Sequence, residues 1–70
     1  MDYSTFTDEA LEARLWELRQ DHGDLDAAIQ ALSNAALPEL IVIGRFKRKK
    51  LILKDEISRI EDYLNPDILA

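Results

Sequence analysis

Large side chains recur along the first half of the chain at intervals that alternate four and three residues. They are Leu11, Leu15, Leu18, His22, Leu25, Ile29, Leu32 and Ala36. This spacing is typical of a coiled-coil seam, because residues three and four apart lie on one face of a helix. Only His22 is polar. The pattern predicts one long helix, over about residues 7–34, that packs against another helix.

The residues before this seam indicate where the helix begins. Thr5 and Asp8 have the spacing of a capping box, and the acidic Asp8 and Glu9 suit the positive end of a helix dipole. We therefore expect the first helix to begin near Thr7.

A second seam follows a short break near the middle of the chain. Its members are Ile43, Phe46, Lys50, Leu53, Ile57, Ile60 and Leu64. Pro38 suits the first turn of a helix, where its missing N–H is not needed. We predict a turn at about 34–38, a second helix at about 38–64 and a short tail at 65–70. Two helices of similar length joined so briefly predict an all-α domain over residues 1–70, an antiparallel coiled-coil hairpin.

Self-association is expected because the chain has few other sources of stability. Seventy residues bury a small core, and no cysteine is present to form disulfides. Several large apolar residues also lie off the predicted seams, which is typical of an interface. The candidate oligomer interface consists of Trp16, Leu40, Ile41, Val42, Leu51, Ile52 and Tyr63. We expect a homo-oligomer, most simply a four-helix bundle formed by two hairpins, or a higher oligomer. The alternative is that this apolar stripe binds a helix of a different protein partner.

The segment 45–54 carries six positive charges and no negative one. Five of these side chains are candidates for binding an anionic partner such as a nucleic acid: Arg45, Lys47, Arg48, Lys49 and Lys54. The alternative is a solvated helix face that pairs with Asp21, Asp24 and Asp26, which a fold near residue 36 brings opposite. The net charge of −5 favours this structural interpretation. The same fold places His22 near Lys50 as a polar layer in the seam.

The sequence offers little for catalysis or cofactor binding. A nucleophile needs an adjacent base, and the serines lie near helix ends or the turn, far from His22. One histidine without cysteine does not supply a zinc site, and no phosphate-binding glycine motif is present. We expect no enzyme activity, no metal and no cofactor. His22 could instead make oligomerisation depend on pH, because histidine titrates near physiological pH.

The longest apolar run has four residues, far short of the roughly 20 that span a bilayer. The acidic start of the chain does not resemble the basic region of a secretory signal. We therefore expect a soluble cytoplasmic protein that does not bind membranes.

Several blocks of sequence together resemble a known family. They are Leu18-Arg19 with His22, Leu25-Asp26 and Ile29; the basic block from Arg45 to Leu51; Leu53-Lys54-Asp55-Glu56-Ile57; and Pro66-Asp67-Ile68. These blocks resemble the small bacterial YdcH-like proteins, also called the DUF465 family. The resemblance implies a bacterial helical hairpin and no established biochemical activity. From the residues, we expect a non-enzymatic, oligomerising coiled-coil interaction or scaffold protein. The alternative is a nucleic-acid-associated small regulator that uses segment 45–54.

Overall fold

Two antiparallel helices form the fold of the chain. A computed structural model describes residues 3–66, in which helix α1 spans Asp8–Ser33 and helix α2 spans Leu40–Leu64. No strand occurs among these residues. The prediction of an all-α helical hairpin is therefore confirmed. The hairpin measures 46 × 26 × 17 Å, and residues 67–70, most of the predicted tail, lie outside the described part of the chain.

Helix α1 begins with a side-chain cap. Thr7 is the N-cap, and its hydroxyl oxygen accepts a hydrogen bond from the Ala10 backbone N–H at 3.1 Å. The cap is thus a single bond accepted by Thr7, in place of the expected capping box of Thr5 and Asp8. Asp8 and Glu9 occupy the first turn as predicted. At the other end the Asn34 N–H still donates to the Gln30 carbonyl.

Helix α2 begins two residues later than Pro38. Glu39 is its N-cap, with extended backbone angles and no side-chain capping bond. A start at Pro38 would have made Leu37 the N-cap, and a leucine side chain has no oxygen to accept a backbone N–H. The helix ends at Leu64, where the Asn65 N–H donates to the Glu61 carbonyl at 2.8 Å.

The core lies along the two predicted seams. Leu18 and Ile60 are fully buried and belong to one cluster with Tyr3, Leu11 and Leu15. Three further seam residues of α2 pack against this cluster and are partly buried: Leu53, Ile57 and Leu64. Within both helices every predicted seam position is buried or half-buried. The exception is Ala36, which follows the end of α1 and is exposed in the connection.

The residues before α1 also pack onto the hairpin. Tyr3 is buried, and its ring meets the Tyr63 ring edge-on with centroids 5.7 Å apart. A turn in which the Phe6 N–H donates to the Tyr3 carbonyl folds this segment back. Phe6 and Leu11 line the same small cavity, the arrangement of a hydrophobic staple around the Thr7 cap.

Candidate interaction surfaces

A polar layer interrupts the apolar seam in the middle of the hairpin. Lys50 Nζ donates a hydrogen bond to Asp26 Oδ1 at 2.5 Å, and both side chains are partly exposed. This bond and the positive charge of Lys50 lower the pKa of Asp26. His22, one helical turn before Asp26, contributes a smaller lowering. The layer therefore consists of His22, Asp26 and Lys50 rather than of His22 and Lys50 alone.

The imidazole of His22 lacks a hydrogen bond at one of its nitrogens within the described residues. It is half-buried, and its Nε2 atom is inaccessible and has no hydrogen-bond partner among residues 3–66. Lys50, the expected neighbour of His22, directs its ammonium group to Asp26 instead. A buried polar atom without a partner costs about 1–3 kcal/mol. The layer thus weakens the seam locally at His22.

Most of the basic segment is unpaired. Within residues 3–66, Lys50 alone of its six cations forms an ion pair with a carboxylate. The other five are exposed, and they are the residues that the sequence marks as candidates for an anionic partner: Arg45, Lys47, Arg48, Lys49 and Lys54. Lys49 Nζ lies 5.9 Å from the centre of the Phe46 ring. Of the three aspartates expected to neutralise this segment, only Asp26 bonds to it.

Ion pairs between the helices occur on both sides of the hairpin, and the sequence interpretation missed two of them. Arg19 and Glu61 are joined at 2.6 Å, and Arg14 and Glu56 at 3.5 Å. Both pairs involve exposed or half-buried side chains and contribute about 0–1 kcal/mol each. Their value lies in fixing the register, because each joins a residue of α1 to one residue of α2 that is distant in sequence.

An open groove runs between the helices on one side, which we call the groove face. It has a volume of about 430 Å³ and is lined by Asp21, Asp24, Leu25, Lys49, Ile52 and Leu53. Its floor is apolar, one rim carries the two aspartates of α1, and the other carries Lys49 of α2. Asp21 and Asp24 form no ion pair with any described residue.

The opposite side, which we call the lysine face, is more basic. Lys47, Lys50, Leu51 and Lys54 line a shallow depression there. The Asp26–Lys50 bond lies on the same side. The cations of segment 45–54 are therefore divided between two sides of the hairpin rather than gathered on one.

The predicted oligomer interface is mostly exposed in the single hairpin. Trp16 is 64% exposed, Leu51 67% and Ile52 62%. Leu40, Ile41 and Tyr63 are also exposed, and Val42 is half-buried. Leu51 lies toward the lysine face and Ile52 toward the groove, and the two together line a further depression on α2.

The described residues do not assemble a metal site. Nowhere in residues 3–66 do three or more His, Asp or Glu side chains gather closely enough to hold a metal ion. Neither α1 nor α2 combines the length and apolarity needed to cross a bilayer.

The fold and its surfaces define a small all-helical hairpin with exposed charged and apolar side chains. A family model described as "Protein of unknown function (DUF465)" matches residues 15–61. The chain therefore belongs to the DUF465 family, as the sequence blocks indicated. No curated protein and no solved structure matched the chain.

Proposed function

We propose that this DUF465 protein is a non-enzymatic interaction protein that assembles with copies of itself into a scaffold. The observation that carries the proposal is the exposure of large apolar side chains on a two-helix hairpin. Trp16, Leu51 and Ile52 each leave more than half of their surface uncovered. Apolar surface of this extent on a small domain is typical of a binding surface.

The small core supports the same proposal. Only seven hydrophobic residues of the described chain are buried, and two of them are buried completely. Two helices cannot enclose a larger core, because each one covers a single stripe of the other. A second hairpin would cover further stripes and bring the assembly to a four-helix bundle.

The experiment is size-exclusion chromatography with light scattering over a range of micromolar concentrations. We expect a mass of at least two chains that falls on dilution. Replacing Ile52 with Gln should shift this equilibrium toward the monomer, whereas Ala27→Gln, at an exposed position of α1, should not. A monomeric mass at every concentration, with full helicity by circular dichroism, would exclude self-association.

A second candidate function is binding to a nucleic acid through segment 45–54. The observation that favours it is the set of five exposed cations that have no carboxylate partner within residues 3–66. When exposed, unpaired cations bind phosphates, the counterions held by the nucleic acid are released, which favours binding. Against it stand the net charge of −5 and the division of these cations between two sides of the hairpin.

A fluorescence titration with mixed DNA and RNA at about 50 mM salt tests this second candidate. Binding should weaken strongly when Lys47, Arg48 and Lys49 become Gln. A matched control replaces Arg14, Arg19 and Arg59 with Gln, which removes the same charge outside the segment. No binding, or equal binding by both variants, would exclude the segment as a nucleic-acid site.

A further inference from the structure

We propose that the groove face binds the groove face of a second copy of this chain, around a two-fold axis parallel to the helices. The inference rests on the proposed self-association and names the surface and the arrangement through which it occurs. In this arrangement each α1 lies beside the partner's α2, and the two open grooves close against each other.

The charges of the groove face are left unsatisfied within one hairpin. Asp21 and Asp24 stand on the α1 rim, and Lys49 stands on the α2 rim. Arg45 lies one helical turn before Lys49 on the same stripe of α2, because the two are four residues apart. None of these four side chains forms an ion pair within residues 3–66. The face therefore has an acidic side and a basic side, each without a partner.

A two-fold axis parallel to the helices brings these opposite charges together. Helix α1 carries seven acidic and two basic side chains (net −5), and α2 carries seven basic and four acidic ones (net +3). Around this axis the acidic α1 neighbours the basic α2 of both copies. A two-fold axis across the helices would instead place α1 beside α1 and α2 beside α2. Charge complementarity favours the first arrangement and disfavours the second.

The heights of the residues agree with this pairing. Asp21, Asp24, Lys49 and Ile52 line one groove, so they lie at similar heights along the hairpin. A two-fold axis parallel to the helices preserves height. Lys49 of each copy therefore faces Asp21 and Asp24 of the other. All neighbouring helices in the resulting bundle are antiparallel, as in up-and-down four-helix bundles.

The apolar part of the groove gives the contact its buried centre. Ile52 is 62% exposed at the rim, beside the floor residues Leu25 and Leu53. In the dimer Ile52 of each copy covers Leu25 of the other. The two-fold symmetry forms this contact twice, so two copies make a closed dimer and no further copy is added through this face.

The N-terminal segment lies at one end of this face and leaves the rest of it open. Phe6, Ala10, Arg14 and Glu56 line a smaller cavity of about 210 Å³, and Tyr3 packs into the same place. Arg14 lies two turns before Asp21 on one stripe of α1, so this cavity continues the groove face toward the start of α1. The N-terminal segment occupies that end, and the charged middle of the groove face remains open to a second copy.

A charge exchange between two variants tests the arrangement. Lys49→Glu places two acidic side chains opposite each other in the dimer, and Asp24→Lys places two basic ones opposite each other. Each variant alone should raise the dimer dissociation constant by about tenfold or more, because like charges across an interface repel. An equimolar mixture of the two should recover wild-type affinity, since both cross-chain pairs become opposite again. Sedimentation velocity measures the dissociation constants and circular dichroism verifies the helicity.

Two further variants serve as controls. Lys47→Glu changes the net charge as Lys49→Glu does but lies on the lysine face, so it should dimerise like wild type. The double variant carrying Asp24→Lys and Lys49→Glu in one chain should also dimerise like wild type.

The outcomes separate this inference from the proposed self-association. If wild type self-associates and Lys49→Glu does so equally well, the groove face is not the interface and self-association stands. If the double variant recovers affinity but the mixture does not, the Asp24–Lys49 contact lies within one chain and the arrangement is wrong. A wild-type chain that stays monomeric contradicts both proposals.

Discussion

At the residue scale the polar layer decides how the hairpin responds to substitution. Lys50 and Asp26 satisfy each other across the helices, whereas the Nε2 atom of His22 is buried and finds no partner in the described part of the chain. A polar group inside an apolar seam typically fixes the alignment of two helices at a cost in stability. The three residues therefore contribute differently: the pair aligns the helices, and the histidine weakens the seam.

Replacing Lys50 with Met should raise the pKa of Asp26 toward the usual range of an aspartate. The reason is that the hydrogen bond and charge of Lys50 are the main causes of the lowered pKa. A pKa lowered in the folded state contributes stability that is present above the unfolded pKa. That stability is lost as the pH falls through the folded pKa.

The Asp26 pKa can be measured by an NMR titration of the side-chain carboxyl carbons. As the pH falls, the free energy of unfolding of wild type should also lose a contribution from Asp26 that Lys50→Met does not have. Lys49→Met, which removes the neighbouring cation, serves as the control. An Asp26 pKa that is the same in wild type and Lys50→Met would contradict the assignment.

Replacing His22 with Leu should raise the free energy of unfolding by about 1 kcal/mol, because it removes a buried unpaired nitrogen and extends the apolar seam. Urea unfolding monitored by circular dichroism gives the value. His22→Gln retains a polar side chain and should show no such gain. If His22→Leu lowers stability instead, the imidazole has a partner that the hairpin alone does not supply.

At the scale of the elements, the two helices begin with unequal caps. Thr7 accepts a backbone hydrogen bond at the start of α1, whereas Glu39 makes none at the start of α2. Thr7→Ala should therefore lower the free energy of unfolding by about 1 kcal/mol, and Glu39→Asp should raise it by about 0.5 to 1 kcal/mol. Thermal unfolding measures both, with Thr7→Ser as a neutral control. A stabilising Thr7→Ala would show that this cap is not formed.

Each helix also contains a glycine that the hairpin does not require. A Cβ atom added at Gly23 or Gly44 would meet no atom within 4 Å, and neither residue has a positive φ. Each Gly→Ala substitution should raise the free energy of unfolding by about 1 kcal/mol. Urea unfolding tests this, and self-association should be unchanged because neither glycine lines the groove. A loss of stability would indicate that a further contact covers the glycine.

The elements were largely predictable from the sequence because their seams are regular. The four–three spacing places Leu18 and Leu53 in one core, and the break near Pro38 marks the turn. Helix α2 begins at Leu40, two residues after the predicted start near Pro38, since proline suits several positions near a helix start. The burial of Tyr3 was missed, because no periodicity connects an isolated aromatic residue to a distant helix. The Phe6 and Leu11 staple spacing was the available signal.

The surface features were less predictable than the core. Asp26 was one of three aspartates expected to meet the basic segment, and only the three-dimensional register shows that it bonds to Lys50. The division of the basic segment between two faces also depends on how the helices are rotated. Sequence spacing predicts which residues form the seam. It does not predict which charged side chains pair across the helices, since several long side chains can reach the same partner.

For the whole molecule, the separation of charge between the helices has the widest consequence. An acidic α1 and a basic α2 attract each other along the hairpin, and they leave charges of both signs on its outer surfaces. A second copy on the groove face can satisfy the charges of that face, and it also covers the exposed Ile52 there. We therefore expect the hairpin to form half of a four-helix bundle.

Sedimentation equilibrium of the wild-type chain across micromolar concentrations tests this account most directly. We expect a single reversible equilibrium between one chain and two, with the two-chain mass predominant at the highest concentrations. Added salt should shift the equilibrium toward one chain, because the contact depends on partly exposed charges. A helical chain with the mass of one hairpin at all concentrations and at low salt would contradict the account.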